Sequence, residues 1–145
     1  MSKINKVFLG GTCNGSTWRE KLIKKLDVSY FNPVVDDWDE KAKTREIKER
    51  ETAEFVLYVI TPLMTGMYSI AEAVDDSNKR SKTTIFCVLN KDDNKEFDKF
   101  QKDSLKEVSS LIEKNGSKVF KSLIEIADFL NKSHSKNEMK TLAGL

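Results

Sequence analysis

Two glutamates in this chain stand where a carboxylate could meet a ligand. Glu72 lies in "TPLMTGMYSIAEAVDDS", Thr61 to Ser77, which follows the uninterrupted apolar run "FVLYVI". Glu46 lies upstream of that run, in "WDEKAKTREIKERETAEF". A carboxylate held in a cleft serves as a nucleophile or a proton carrier; one on a solvated helix face does neither. In the upstream stretch Trp38, Ala42, Glu46, Glu49 and Ala53 recur at spacings of four, four, three and four, so they share one stripe of a helix. Its inward face carries acids, and spacing alone leaves Glu46 evenly between site and surface. Downstream, Met67, Ile70, Ala71 and Val74 form an apolar stripe, with Tyr68, Ser69, Glu72 and Asp76 on a neighbouring face. That puts Glu72 near a cleft and not necessarily in it, and by spacing alone a solvent-facing glutamate is the slightly better account. Tyr68 is placed either to hold the Glu72 carboxylate or simply to pack.

Two loops precede these helices. In "GGTCNGSTWRE" the paired glycines let a ligand approach the backbone, and the helix start after them presents N–H groups that favour an anion such as a phosphate. The spacing matches neither a dinucleotide fingerprint nor a P-loop, so a tight turn with Ser16 or Thr17 as N-cap is an equal account. In "NPVVDDWDE", Asn32-Pro33 ends a strand, and Asp36 and Asp37 either cap the next helix or bond a ligand's hydroxyls. Trp38 reads first as a core anchor and second as a stacking surface for a flat ring. Thr65-Gly66 gives a flexible entry to the helix that carries Glu72.

The elements that must position these residues follow from apolar patterning. "KVFLGG", "SYFNP", "FVLYVIT" and "TTIFCVLN" have the all-apolar character of parallel strands covered on both faces, and a short fifth, "KVF" at 118–120, follows the turn signal "KNGS". Leu22, Ile23 and Leu26 mark a first helix; Phe97, Phe100, Leu105, Val108 and Ile112 mark a long one; Leu123, Ile126, Ala127 and Leu130 mark the last. The β-α alternation predicts an α/β fold, a flavodoxin-like three-layer sandwich with a five-stranded parallel sheet and helices on both faces. In such sheets ligands bind outside the carboxyl ends of the strands. A single domain over 1–131 is expected, followed by a polar C-terminal tail, 132–145, "KSHSKNEMKTLAGL", in which His134 reads as a solvated side chain.

At 145 residues the chain suits one core, and 25 Lys+Arg against 23 Asp+Glu, a formal charge of +2, gives no bulk field for nucleic acid or an anionic membrane. A small-molecule partner is expected, with no nucleic acid and no membrane. No run approaches bilayer length and "MSKINKVFLGG" has no signal-peptide pattern, so a cytoplasmic location is expected. Cys13 and Cys87 lack metal-type spacing; neither a disulfide, a metal nor a cofactor is expected.

The run "VFLGGT", the "YFNPVVDDW" loop, the acid-bearing helix before "AEFVLYVITP" and the glutamate of "GMYSIAEA" together resemble the nucleoside 2-deoxyribosyltransferase-like family over about the first 90 residues. The resemblance implies that Glu72 is the nucleophile that attacks C1′ of the sugar, with Glu46 as a second acid at base or sugar. It implies a pocket for base and sugar from Gly10, Gly11, Thr12, Asn32, Asp36, Asp37, Trp38, Gly66, Tyr68 and Ser69, a nucleoside or nucleotide as ligand, and a homo-oligomer in which a neighbour's C-terminal region helps to close the site. Where the family has Glu, an aliphatic residue and Gly, this chain has Glu72-Ala73-Val74. Gly66 also lies further from Glu72 than is usual, and a shifted register would put Ser69 at the nucleophile position; the Glu72 register keeps the helix-to-strand distance nearly normal. Glycosyl transfer or hydrolysis at an N-glycosidic bond is the function implied. The alternatives are a nucleotide-binding or nucleotide-sensing module without turnover, and an interaction protein that docks through its long fourth helix.

Overall fold

A computed structural model describes residues 4–143, with side chains described for 6–133. Strands β1 (Ile4–Gly11), β2 (Ser29–Phe31), β3 (Ala53–Ile60), β4 (Thr84–Val88) and β7 (Lys118–Phe120) form one parallel sheet in the order β2-β1-β3-β4-β7. The predicted five-stranded α/β sandwich is therefore present. A two-stranded antiparallel hairpin, β5 (Lys91–Asp92) and β6 (Lys95–Glu96), turns through Asp93 at φ 56°. Sequence patterning did not anticipate it, because each strand is two residues long and polar.

Alternation along β3 divides the core. Leu57 and Val59 face α1 (Trp18–Ile23) and α5 (Leu123–Ala143), meeting Trp18, Leu22, Ile126 and Leu130. Val56, Tyr58 and Ile60 face the other way, toward Ala73 on α3 (Tyr68–Lys79) and Leu105 and Ile112 on α4 (Lys99–Lys114). The helix α2 (Glu40–Thr52) lies over that second face and buries only Thr52. Helix α5 continues through the segment expected as a tail to Ala143, while the His134 side chain lies outside the described ones.

Some positions depart from the expected stripes. Met67 and Phe100 are exposed; of the expected Met67-Ile70-Ala71-Val74 stripe, Ile70 and Val74 pack half-buried against the core, while the fully buried positions of α3 are Ala73, Asp76 and Ser77. The inward face is shifted toward Asp76, which finds polar partners there. Trp38 is 57% exposed and is no core anchor, since α2 begins only at Glu40 with Asp39 as its N-cap, accepting the Ala42 N–H at 2.8 Å. Asp36 and Asp37 therefore cap nothing.

The order of strands reverses between β1 and β3, and this is where the loops of interest emerge. Gly11 has φ 119°, and a Cβ there would lie 2.1 Å from the Val59 carbonyl oxygen. At Gly10 a Cβ would meet the Tyr58 ring at 2.8 Å. The space that a Cβ would need at these two glycines is thus taken by β3, which gives both a packing role. Gly11→Ala should destabilise the fold by about 3 kcal/mol or more, combining a strained φ with backbone overlap, as read by the shift in denaturation midpoint. Gly10→Ala should cost less, because Gly10 is not at positive φ and the overlap is with rings and not with backbone.

Candidate functional site

The loops after β1 and β3 are tied to each other. The Thr12 N–H donates to Val59 O at 2.9 Å and the Thr61 N–H donates to Thr12 Oγ1 at 2.9 Å. Asn14, held at φ 50°, donates through Nδ2 to Leu63 O at 3.1 Å and Thr65 Oγ1 at 2.8 Å. Beneath this clip lies Arg19, 3% exposed, which donates to the carbonyls of Leu9, Thr12 and Gly11 and stacks its guanidinium 4.5 Å from the Trp18 ring centroid. Its burial pulls the guanidinium below its usual range. Arg19 spends its donors on backbone and so shapes the loop from inside.

The clipped loops wall a cavity of about 300 Å³, lined by Gly11, Thr12, Cys13, Asn14, Ile60, Met64, Thr65, Gly66, Tyr68 and Ser69. Five of the residues implied by resemblance, Gly11, Thr12, Gly66, Tyr68 and Ser69, meet here. No lysine or arginine is among the lining residues. Further along the loop an acid of β5 approaches, for Ser16 Oγ donates to Asp92 Oδ2 at 2.5 Å. The six-residue α1 has no side-chain hydrogen bond at its Thr17 N-cap.

Glu72 belongs to a second cluster, one turn further along α3 and across from α2. Its Oε2 lies 3.2 Å from Arg50 Nη1, and its side chain is 14% exposed. Arg50 also contacts Asp75 at 3.6 Å and donates from Nε to Asp76 Oδ2 at 3.0 Å. The Tyr58 hydroxyl donates to that same Oδ2 at 2.6 Å. Burial pushes the Glu72 carboxyl up; Arg50 pulls it down, and Glu46, Asp76 and Asp75 push it up again. Half-buried Glu46 is likewise raised by burial and opposed by Arg19 and Arg50. The two glutamates proposed from sequence are therefore electrostatic neighbours. Among the described residues no hydrogen bond joins Tyr68, which is 75% exposed, to Glu72; Arg50 does the holding that was considered for Tyr68.

The loop after β2 remains apart. Asn32 Oδ1 accepts the Val34 N–H at 3.1 Å, closing its own turn, and Asp36, Asp37 and Trp38 are exposed. Nothing ties them to either cluster. Among the described residues no group of three or more His, Cys, Asp or Glu is arranged to hold a metal ion, and no helix is long and apolar enough to cross a membrane. Cys87 is buried, its thiol pushed up to about 12 by burial, and Cys13 is exposed.

Arg50, Tyr58 and Arg19 were not singled out from sequence, and Asp76 was named only as sharing the Glu72 face. A signal existed for two of them: Arg50 follows Glu46 by four residues and Asp76 follows Glu72 by four, so each shares a helix face with its glutamate. Removing the Tyr58 hydroxyl takes a donor from a buried carboxylate, so Tyr58→Phe should cost about 1.5–3 kcal/mol in chemical denaturation.

No curated protein sequence and no solved structure is significantly similar to the chain. Residues 4–91 match the model of a family described as nucleoside 2-deoxyribosyltransferase like. That span runs from β1 past β4 and contains both carboxylates and both loops. The chain belongs to the nucleoside 2-deoxyribosyltransferase-like family.

Proposed function

We propose that the protein breaks the N-glycosidic bond of a nucleoside, with Glu72 as nucleophile and Glu46 as the group that handles the proton. The observation that carries this is the state of the Glu72 carboxylate: largely buried, paired through Oε2 with Arg50, and within the field of a second glutamate. As the C1′–N bond breaks, its electrons leave with the base, which takes a proton from Glu46, and positive charge grows on the sugar. Glu72 captures C1′ as a glycosyl ester. A second base, or water, then attacks C1′ from the face the first base left, giving up its proton to Glu46, and the ester bond breaks to restore the Glu72 carboxylate. Two inversions give net retention. A raised Glu46 suits a group that must carry a proton at one step and accept one at the next.

The cavity walled by the β1 and β3 loops favours an uncharged ligand. Its lining holds no cation, Arg19 is committed to carbonyls, and Asp92 stands at Ser16. A 5′-phosphate there would meet hydroxyls and amides but no countercharge. An unphosphorylated nucleoside is thus the finer proposal for the substrate.

Incubation with 2′-deoxynucleosides, with and without an acceptor base, should release or exchange base. Glu72→Gln should keep the fold and lower turnover by at least about a thousandfold, since the capturing charge is lost while the shape stays. Binding without release in the native protein would point to a sensing module instead. Nucleosides should bind at least as tightly as their 5′-monophosphates at low salt; a clear preference for the phosphate would overturn the uncharged-ligand proposal.

The pH dependence follows from the same carboxylate. Glu72 must be ionised to attack, and its burial raises it above the ordinary 4.5 of a glutamate. Acidification protonates it sooner, so the acid limb of the kcat/KM profile should be centred above that value.

A further inference from the structure

We propose that Arg50 is a positioning residue for this site: anchored by Asp76 and Tyr58, its guanidinium holds Glu72 through Oε2 and so directs Oε1 toward the sugar. The proposal rests on the reading of Glu72 as nucleophile and adds a residue that the resemblance did not supply. Three geometric facts carry it. The guanidinium is fixed at one edge by the Nε–Asp76 contact at 3.0 Å before it meets Glu72 at 3.2 Å through Nη1. Asp76 is 4% exposed and is itself held at 2.6 Å by the hydroxyl of Tyr58, a fully buried residue of the central strand. Among the described residues, Oε2 is the oxygen of Glu72 that takes part in an ion pair. The chain Tyr58, Asp76, Arg50, Glu72 therefore runs from the rigid sheet to one oxygen of a carboxylate. Arginine suits this task because its planar fork fixes direction as well as charge.

The charge has its own consequence. The groups that face Glu72 are Glu46 and Arg50 from α2, Asp75 and Asp76 from its own helix and Tyr58 from β3, with Arg19 of α1 acting on Glu46. Arg50 is the cation that touches Glu72, and its pull on that carboxyl exceeds the push of any one of the three acids. Without it, Glu72 would keep its proton to higher pH and the attacking form would be depleted.

The test uses the full chain and three variants. Arg50→Met alone strands the buried Asp76, so the double variant Arg50→Met/Asp76→Asn removes both charges and keeps the fold. Arg50→Lys keeps a positive charge without the fork. The readouts are the ¹³C titration of the Glu72 side-chain carboxyl, assigned by its loss in Glu72→Gln, and the pH profile of base release from deoxynucleosides. In the double variant the Glu72 midpoint should move to higher pH, the acid limb should move with it, and plateau kcat should fall at least tenfold. In Arg50→Lys the midpoint should stay near that of the native protein while kcat falls, separating orientation from charge. A folded double variant with native titration, native acid limb and native kcat would overturn the proposal. Were Glu72→Gln to retain full activity, the nucleophile assignment would fail, and the NMR titration would still decide whether Arg50 keeps the carboxylate charged.

Discussion

Helix α2 buries a single residue, Thr52, and has too little apolar surface to stay on the sheet by packing. Charged groups hold it there instead. Arg50 reaches from its last turn to Asp76, and Arg80, just past α3, donates to the carbonyls of Arg50, Ala53 and Glu54 at 3.0, 2.6 and 3.0 Å. Lys6 of β1 meets Glu49 at 3.3 Å. Everything at the carboxylate cluster depends on this arrangement, because Glu46 and Glu72 come from different helices whose mutual placement is set by Arg50. An ion pair on an exposed surface would be worth little. Here Asp76 is buried and hydrogen-bonded by Tyr58, so breaking the set leaves an uncompensated charge against the core.

The loops obey a different constraint. A strand that ends at a binding edge must release its chain without leaving buried donors and acceptors unpaired. In β1 this is done by Arg19, whose guanidinium collects the carbonyls of Leu9, Gly11 and Thr12, and by Trp18, whose Nε1–H donates to Thr12 O at 2.8 Å. These side chains sit on α1 but serve the β1 loop. The cavity above is consequently built from backbone and neutral side chains, while the charges are gathered one helical turn away on α3. A nucleoside, with an uncharged base and a sugar whose anomeric carbon becomes cationic, matches that separation in the proposed reaction.

How much of this was legible in the sequence follows from the physics of each signal. The strands were plain because β3 and β4 are buried on both faces and must be apolar throughout. Glu46 emerged from its stripe, on which Ala42, Glu46 and Glu49 are indeed half-buried. Trp38 misled because its size favours the core, yet α2 starts two residues later and leaves it in solvent. The rotated face of α3 misled for the opposite reason: Asp76 is polar and buried, and the Tyr58 hydroxyl and the Arg50 guanidinium, both on other elements, explain it. A hydrogen bond between residues eighteen apart has no periodicity to announce it. Arg50 was hidden in a run of charges that resembles any solvated helix, and its partners lie on the next helix in the chain.

The balance of charge around Glu72 suggests why the cluster is built this way. Four carboxylates, Glu46, Glu72, Asp75 and Asp76, act on one another here. Four cations oppose them: Arg50 at the centre, Lys79 on Asp75 at 2.8 Å, Arg80 acting on Asp76, and Arg19 acting on Glu46. Acids and cations match in number, yet the two glutamates share cations that are also committed elsewhere, Arg50 to Asp76 and Arg19 to backbone carbonyls. Partly desolvated carboxylates whose cations are shared gain from a further positive partner. In the proposed reaction that partner forms only as the C1′–N bond lengthens, so the two glutamates would be complementary to the transition state and not to the neutral nucleoside. A second arginine at Glu46 would relieve the free protein and would also remove the differential binding that accelerates the step.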